Sequence, residues 1–136
     1  EALTQNIDFA PTFLDACGVP VPDRMQGISM VPLLANPAAP WRDALYYHYY
    51  DHGGEHNVAR HYGIRTRDFM MAHFYTTDEW EMYDLLKDPN EMHSVFGDPV
   101  YAEAQKKVKA RLLELKKQYG NEILTHEDEK RLIENP

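Results

Sequence analysis

From Trp41 onward the sequence predicts an α+β fold: a small four-stranded antiparallel sheet packed by one long C-terminal helix. Three observations predict it. Four short stretches of high strand propensity, rich in Tyr, Phe and Met, follow one another between Ala44 and Leu85. Glycine, asparagine, aspartate and other turn-forming residues separate them. A single apolar stripe of helical period then runs from Ala104 to Tyr119, enough to cover one face of such a sheet.

Ahead of the sheet, "NIDFAPTFLDACGVPVPD" reads as a short helix. Asp8 stands as its N-cap with Pro11 in the early turns, and Phe9, Phe13, Leu14 and Cys17 fall near helical spacing. Gly18 stops it before Pro20 and Pro22. Two or three turns are marginal alone, so this helix needs something to pack against. In "MQGISMVPLLANPAAPW", Gly27 allows an unusual backbone angle, Ser29 caps a turn and Pro32 opens a single helical turn ahead of Leu33 and Leu34. The run from Pro37 to Pro40 has little to bury and marks a boundary.

The strands are "ALYYHYY", "ARHYGIRT", "FMMAHFY" and "EWEMYDL". A Gly-Gly loop, "DHGGEHN", parts the first two, and a turn at Arg67-Asp68 parts the next. "LLKDPNEMHSVFGDP", with two Asp-Pro dipeptides, is a turn-rich excursion. The helix runs from Pro99, behind Asp98 as cap, to about Gln118. Ala104, Val108, Leu112, Leu115 and Tyr119 form its stripe; Lys106, Lys107, Lys109, Lys116 and Lys117 lie mostly outside it; Gly120 ends it. The charged tail, residues 121–136, reads as a short helix or as disorder. The domains expected are therefore 1–40, 41–120 and 121–136.

Composition bounds the function. A chain of 136 residues, 43% hydrophobic and 26% charged, suffices for one compact domain burying roughly two-thirds of its extended surface. The net charge of −8 argues against a nucleic-acid partner, whose phosphates demand a basic field. No apolar run approaches a membrane span, and Glu1 to Asn6 lack the pattern of a signal peptide. A single cysteine excludes an internal disulfide.

No complete active site is legible. His48, His52 and His56 recur every four residues, a spacing that clusters metal ligands only on a helix, whereas these lie in a strand and a loop; solvated histidines are the simpler reading. Cys17 has no neighbouring base and reads as a small buried hydrophobe. Neither a Gly-x-Ser-x-Gly elbow nor a phosphate-cradling glycine loop occurs. What remains is "ARHYGIRTRD", basic within an acidic chain. Arg65 and Arg67 read as solvated charges. Arg60 and His61, at a strand start beside the Gly-Gly loop, suit an oxygen-rich ligand together with His56.

Several stretches in series resemble the C-terminal end of formylglycine-dependent (type I) sulfatases of the alkaline phosphatase superfamily. The family's Asp-x-x-Pro-Thr helix appears as Asp8, Pro11, Thr12, Leu14 and Gly18. Its Gly-x-Ser segment appears as Gly27, Ser29, Pro32, Leu33 and Leu34. The strands match at Trp41 to Tyr46 and Tyr62 to Thr66, and the late turn at Glu81, Tyr83, Asp84, Leu85, Asp88, Pro89 and Glu91. Two departures stand out. Phe69, Met70 and Met71 occupy a strand that often carries a lysine, and His93 and Ser94 stand where an asparagine is common.

The resemblance implies that the first helix and linker belong to an α/β sulfatase domain lying mostly outside this sequence. That domain would hold the formylglycine nucleophile and calcium. Cys17 is not that nucleophile, since Pro20 falls three residues later and Val21 stands where arginine is required. The expected role is then packing and recognition of a sulfated, glycosaminoglycan-like carbohydrate by Arg60, His61 and His56, with no catalytic group, no membrane and a periplasmic or secreted setting. Two alternatives remain at this point: a stand-alone module binding an anionic sugar, and the equivalent part of a phosphoester hydrolase.

Overall fold

The computed structural model describes residues 2–51 and 57–120. They divide into two compact units between Leu45 and Tyr46.

In the first unit a single 3₁₀ turn, Asn6–Asp8, leads into helix α1, Phe9–Ala16, and a second short helix, α2, spans Val31–Ala35 with a proline in its first turn. Asp8 stands at the boundary of α1 as expected, but its carboxylate does not cap that helix. It accepts instead from the Gln5 amide at 2.8 Å, from the Ile28 amide at 2.9 Å and from Arg42 Nη2 at 2.6 Å. Asp8 is fully buried and the Arg42 side chain is 10% exposed, so this is an interior ion pair. Burial alone would raise the Asp8 pKa; the bonds from Arg42, Ile28 and Gln5 outweigh it and hold the carboxyl below its usual range. Arg42 also lies over the Trp41 ring, 5.1 Å from its centroid, and Trp41 Nε1 donates to the Leu3 carbonyl at 2.7 Å.

Residues 8, 12 and 15 lie on one face of a helix, and each engages the segment 28–30. Thr12 Oγ1 donates to the Asp8 carbonyl and accepts from the Met30 amide at 2.9 Å, while Ser29 Oγ donates to Asp15. Close approach there demands glycine at 27, because a Cβ would stand 2.0 Å from the Ile7 carbonyl oxygen. The inward face of α1 is therefore polar, with Pro11 and Thr12 buried. Its apolar residues turn outward. Phe9 and Phe13 stack on each other at 6.5 Å and are 53% and 67% exposed. Cys17, read from sequence as buried, is exposed for the same reason.

The second unit is the expected four-stranded antiparallel sheet, in the order β1 (Leu45–Tyr49), β2 (His61–Arg65), β3 (Phe69–Phe74), β4 (Glu79–Asp84), with helix α3 at Ala102–Gln118. Register places Tyr62 opposite His73 and Ile64 opposite Met71. Met71 faces Met82, and His73 faces Trp80. Opposed residues share a face. Ile64, Met71 and Met82, on one face, are buried together with Val108, Leu112 and Leu115 of α3, the heart of the predicted stripe. The helix expected from Pro99 opens as a 3₁₀ turn, Pro99–Tyr101; Asp98 caps that turn, accepting from the Val100 amide at 2.9 Å, while α3 itself starts at Ala102 without a side-chain cap, and Gly120 leaves the helix with φ of 73°. Two lysines of α3 are not simply solvated: Lys109 Nζ sits 3.9 Å from the Trp80 centroid and Lys116 Nζ 4.1 Å from that of Tyr62.

The excursion after β4 contains no strand and is organised by carboxylates. Asp84 accepts from the Leu86 and Lys87 amides and from the Tyr101 hydroxyl at 2.9 Å, and Asp88 accepts from the Met92 and His93 amides at 2.7 Å. Glu91, at φ of 56°, pairs with Arg65. Arg65, read from sequence as a solvated charge, is thus an ion-pair partner that ties the end of β2 to this turn. His93 is a surface residue, its side chain 89% exposed. The expectation for 121–136 lies outside the described residues.

Removing one member of a buried pair strands the other charge. Asp8→Ala is expected to lower unfolding free energy by about 3–5 kcal/mol, measured by urea denaturation of the protein, with a smaller loss for Asp8→Asn. A loss under about 1 kcal/mol, the scale of a surface pair, would show that the Asp8–Arg42 contact does not organise this unit.

Candidate anion-recognition site

The site candidates sit where β1 ends and β2 begins. Arg60 Nε donates to the Tyr50 carbonyl at 2.8 Å, joining the two strand ends. His61 leaves the strand in the opposite sense. Its ring stacks on Tyr49 at 5.3 Å, leans on Phe74 at 4.9 Å and meets the edge of Tyr47 at 5.7 Å. Its Nδ1 lies 2.8 Å from the Ala59 carbonyl. A carbonyl only accepts, so Nδ1 carries a proton, and in the neutral ring Nε2 is the acceptor. Arg60 therefore offers donors on one side of the strand start, and the neutral His61 ring an acceptor on the other. The structure does not gather both side chains on one face. His56, the third candidate, lies outside the described residues.

Glycine at 63 belongs to this arrangement. A Cβ there would stand 2.5 Å from the Tyr47 hydroxyl oxygen and 2.6 Å from the Met71 carbonyl, so only glycine lets Tyr47 lie across β2. Burial, with the Glu91 and Glu81 charges, pushes the Tyr47 hydroxyl up to about 12, which keeps it neutral.

Sequence reasoning missed the network on the helix-covered face. His48, read as one of a set of solvated histidines, stacks flat on Tyr50 at 3.8 Å, and its two ring nitrogens meet the Tyr46 and Tyr75 hydroxyls at 3.4 and 3.2 Å. Beside it, His73 is held between Tyr62 and Asp78, each at 2.9 Å, and lies 4.1 Å from the Trp80 ring in a near-parallel stack. Asp78 accepts, so His73 donates from Nε2 and receives the Tyr62 hydroxyl at Nδ1. The signal was present in sequence as the alternation Tyr46, His48, Tyr50, which period two places on one face. Its partners on β3 and α3 were not. Among the described residues no group of three His, Cys, Asp or Glu is placed to hold a metal ion.

A sheet of this order, closed on one face by a C-terminal helix and preceded by a short helix, is the fold of the C-terminal region in the sulfatase branch of the alkaline phosphatase superfamily, and phosphonate monoester hydrolases share it. The chain belongs to the family described as N-sulphoglucosamine sulphohydrolase, C-terminal, whose model matches residues 1–118. Among its relatives is an N-acetylglucosamine-6-O-sulfatase of Bacteroides thetaiotaomicron, 49% identical over 98% of this chain and 26% of that protein. A solved structure, described as a complex with its substrate D-glucosamine-2-N,6-O-disulfate, is 52% identical with a TM-score of 0.86, over 90% of this chain and 26% of the other. A phosphonate monoester hydrolase of Agrobacterium radiobacter is 29% identical with a TM-score of 0.71, over 87% of this chain and 26% of the other. The chain thus spans about a quarter of the length of these proteins.

Burial pushes the His48 pKa down to about 4 from its ordinary 6.5, helped by the positive charge of Lys116 and by His61. Burial also lowers His73, against the opposing pull of Asp78. A depressed histidine means that the unfolded chain binds protons first as pH falls. Stability from His48 is therefore complete above about 6.5 and lost progressively toward about 4. Urea midpoints measured across that window are expected to fall, and to fall less steeply in His48→Phe. Equal slopes would show that His48 is not held neutral by its surroundings.

Proposed function

We propose that this chain is the C-terminal part of a sulfatase that hydrolyses a sulfate ester on a glucosamine-type sugar, and that it contributes packing and substrate recognition. The observation that carries the reading is 49% identity, across 98% of this chain, with an N-acetylglucosamine-6-O-sulfatase. Each residue at the strand start contributes to the reading on its own side of the sheet. Arg60 is tethered through Nε, which leaves its terminal amino groups for a sulfate or carboxylate oxygen, and His61 Nε2 accepts from a sugar hydroxyl. His56 is proposed with them from its place in sequence.

Formylglycine and calcium, expected from the resemblance, are assigned to the rest of the polypeptide. When bound they supply the nucleophile and neutralise sulfate oxygens. The exposure of Phe9 and Phe13 weighs against the self-sufficient sugar-binding module, which would cover them.

A second reading, hydrolysis of a phosphoester or phosphonate ester, draws on the 29% identity to a phosphonate monoester hydrolase. Assaying the intact enzyme against N-acetylglucosamine 6-O-sulfate and a phosphonate monoester separates the two. Sulfate release with a higher kcat/KM is expected. In the same enzyme, Arg60→Ala with His61→Ala is expected to lower kcat/KM on the sulfate ester roughly a hundredfold, with the thermal midpoint held within a few degrees. Unchanged efficiency in that double variant removes the recognition role from both residues.

A further inference from the structure

Among the described residues, Arg60 is held through Nε. Among the described residues, no hydrogen bond or ion pair engages its two terminal amino groups. A guanidinium anchored at Nε keeps those amino groups in one plane, the edge that meets an oxyanion as a fork. Its aim is only as fixed as the carbonyl that holds it.

That carbonyl belongs to Tyr50, one residue past the end of β1. The Tyr50 ring lies on the His48 imidazole with centroids 3.8 Å apart and planes 15° apart. His48 in turn is held at both nitrogens, by the Tyr46 hydroxyl at 3.4 Å and the Tyr75 hydroxyl at 3.2 Å. Tyr75 is buried, 4% exposed, and stacks on buried Tyr62 at 6.1 Å, with Lys116 over the Tyr62 ring. Contacts thus run without a gap from the helix-covered core, through His48 and Tyr50, to the Arg60 guanidinium. Tyr50 itself is 55% exposed, so its ring contributes little core burial, and its flat seat on His48 fixes a carbonyl that lies beyond the strand's hydrogen-bonded residues.

We propose that His48 is a positioning residue: through the Tyr50 ring and carbonyl it aims the Arg60 fork at an oxyanion of the sugar substrate. The proposal rests on the reading of Arg60 as a substrate contact, and the experiment keeps the two apart. In the intact enzyme labelled with ¹⁵N-arginine, the Arg60 Nε–Hε resonance is followed by NMR alongside KM and kcat for N-acetylglucosamine 6-O-sulfate. His48→Ala and Tyr50→Ala are each expected to move that resonance to the position of a solvent-exposed arginine. Each is also expected to raise KM roughly tenfold with kcat within about twofold. His48→Phe keeps a flat ring beneath Tyr50 and is expected to retain the wild-type resonance and KM. Should His48→Ala fail to fold, Tyr50→Ala carries the test, since it removes an exposed ring.

An Arg60 resonance unmoved in the alanine variants overturns the positioning role, whatever Arg60 binds. A moved resonance with unchanged KM overturns Arg60's part in recognition. A wild-type enzyme inactive on this ester removes the functional reading and leaves the resonance test standing.

Discussion

A carboxylate without solvent contact, Asp8, organises the first unit. Three segments remote in sequence, around Gln5, Ile28 and Arg42, present donors to its two oxygens. An ion pair in the interior is a poor source of net stability, because desolvation offsets much of its attraction, but well-placed donors around it make it selective among packings, even though Arg42 Nε itself has no partner. The match here is to two backbone amides and one guanidinium, so few alternative packings satisfy it. The consequence is an inverted helix. With Asp8 and Thr12 buried against residues 28–30 and Asp15 bonded to Ser29 at the surface, the Phe9 and Phe13 rings face outward. Apolar surface shown this way asks for a cover, in accord with a chain that spans a quarter of its relatives' length.

In the second unit the constraint is different. The face under α3 is apolar at Ile64, Met71 and Met82, but toward β1 it becomes a lattice of tyrosine and histidine rings. Imidazoles there pack as neutral aromatic bodies while their nitrogens satisfy buried hydroxyls, a double role that no aliphatic residue fills. Rigid rings at the rim give the strand ends a fixed edge. That is where a recognition site profits from rigidity, since a guanidinium held within a fraction of an ångström loses less freedom when it binds.

Much of this was legible in sequence where it depended on period or on local chemistry. The α3 stripe, the four strands and the Gly120 stop are all local and match the structure, while Asp98 caps the 3₁₀ turn ahead of α3 instead of α3 itself. Long-range polar pairing was not legible. Asp8 and Arg42 are 34 residues apart, Arg65 and Glu91 are 26 apart, and no pattern in a window announces such partners. Cys17 reads from sequence as a small buried hydrophobe for want of a neighbouring base, but it stands exposed past the end of α1, whose buried residues are Pro11 and Thr12. The family's recurrent words were recognised as signatures before their work was known. Asp8, Gly27 and Ser29 form one docking lattice, and Asp84, Asp88 and Glu91 form one folded turn. Of the site, the residue types at 60 and 61 were read, but not their divergence to opposite faces nor the support of Arg60 from Tyr50.

Together these features describe a division of labour. Among the described residues, Asp8, Asp84 and Asp88 accept hydrogen bonds from groups of this chain's own fold, and His48, His61 and His73 are packed among aromatic rings, which accords with the proposal that the hydrolytic chemistry belongs to the intact enzyme and not to this chain. The direct test is sulfate release from N-acetylglucosamine 6-O-sulfate, measured side by side for the 136-residue polypeptide and for the intact enzyme. Turnover by the intact enzyme alone is the outcome this account requires. Turnover by the 136-residue polypeptide would contradict it.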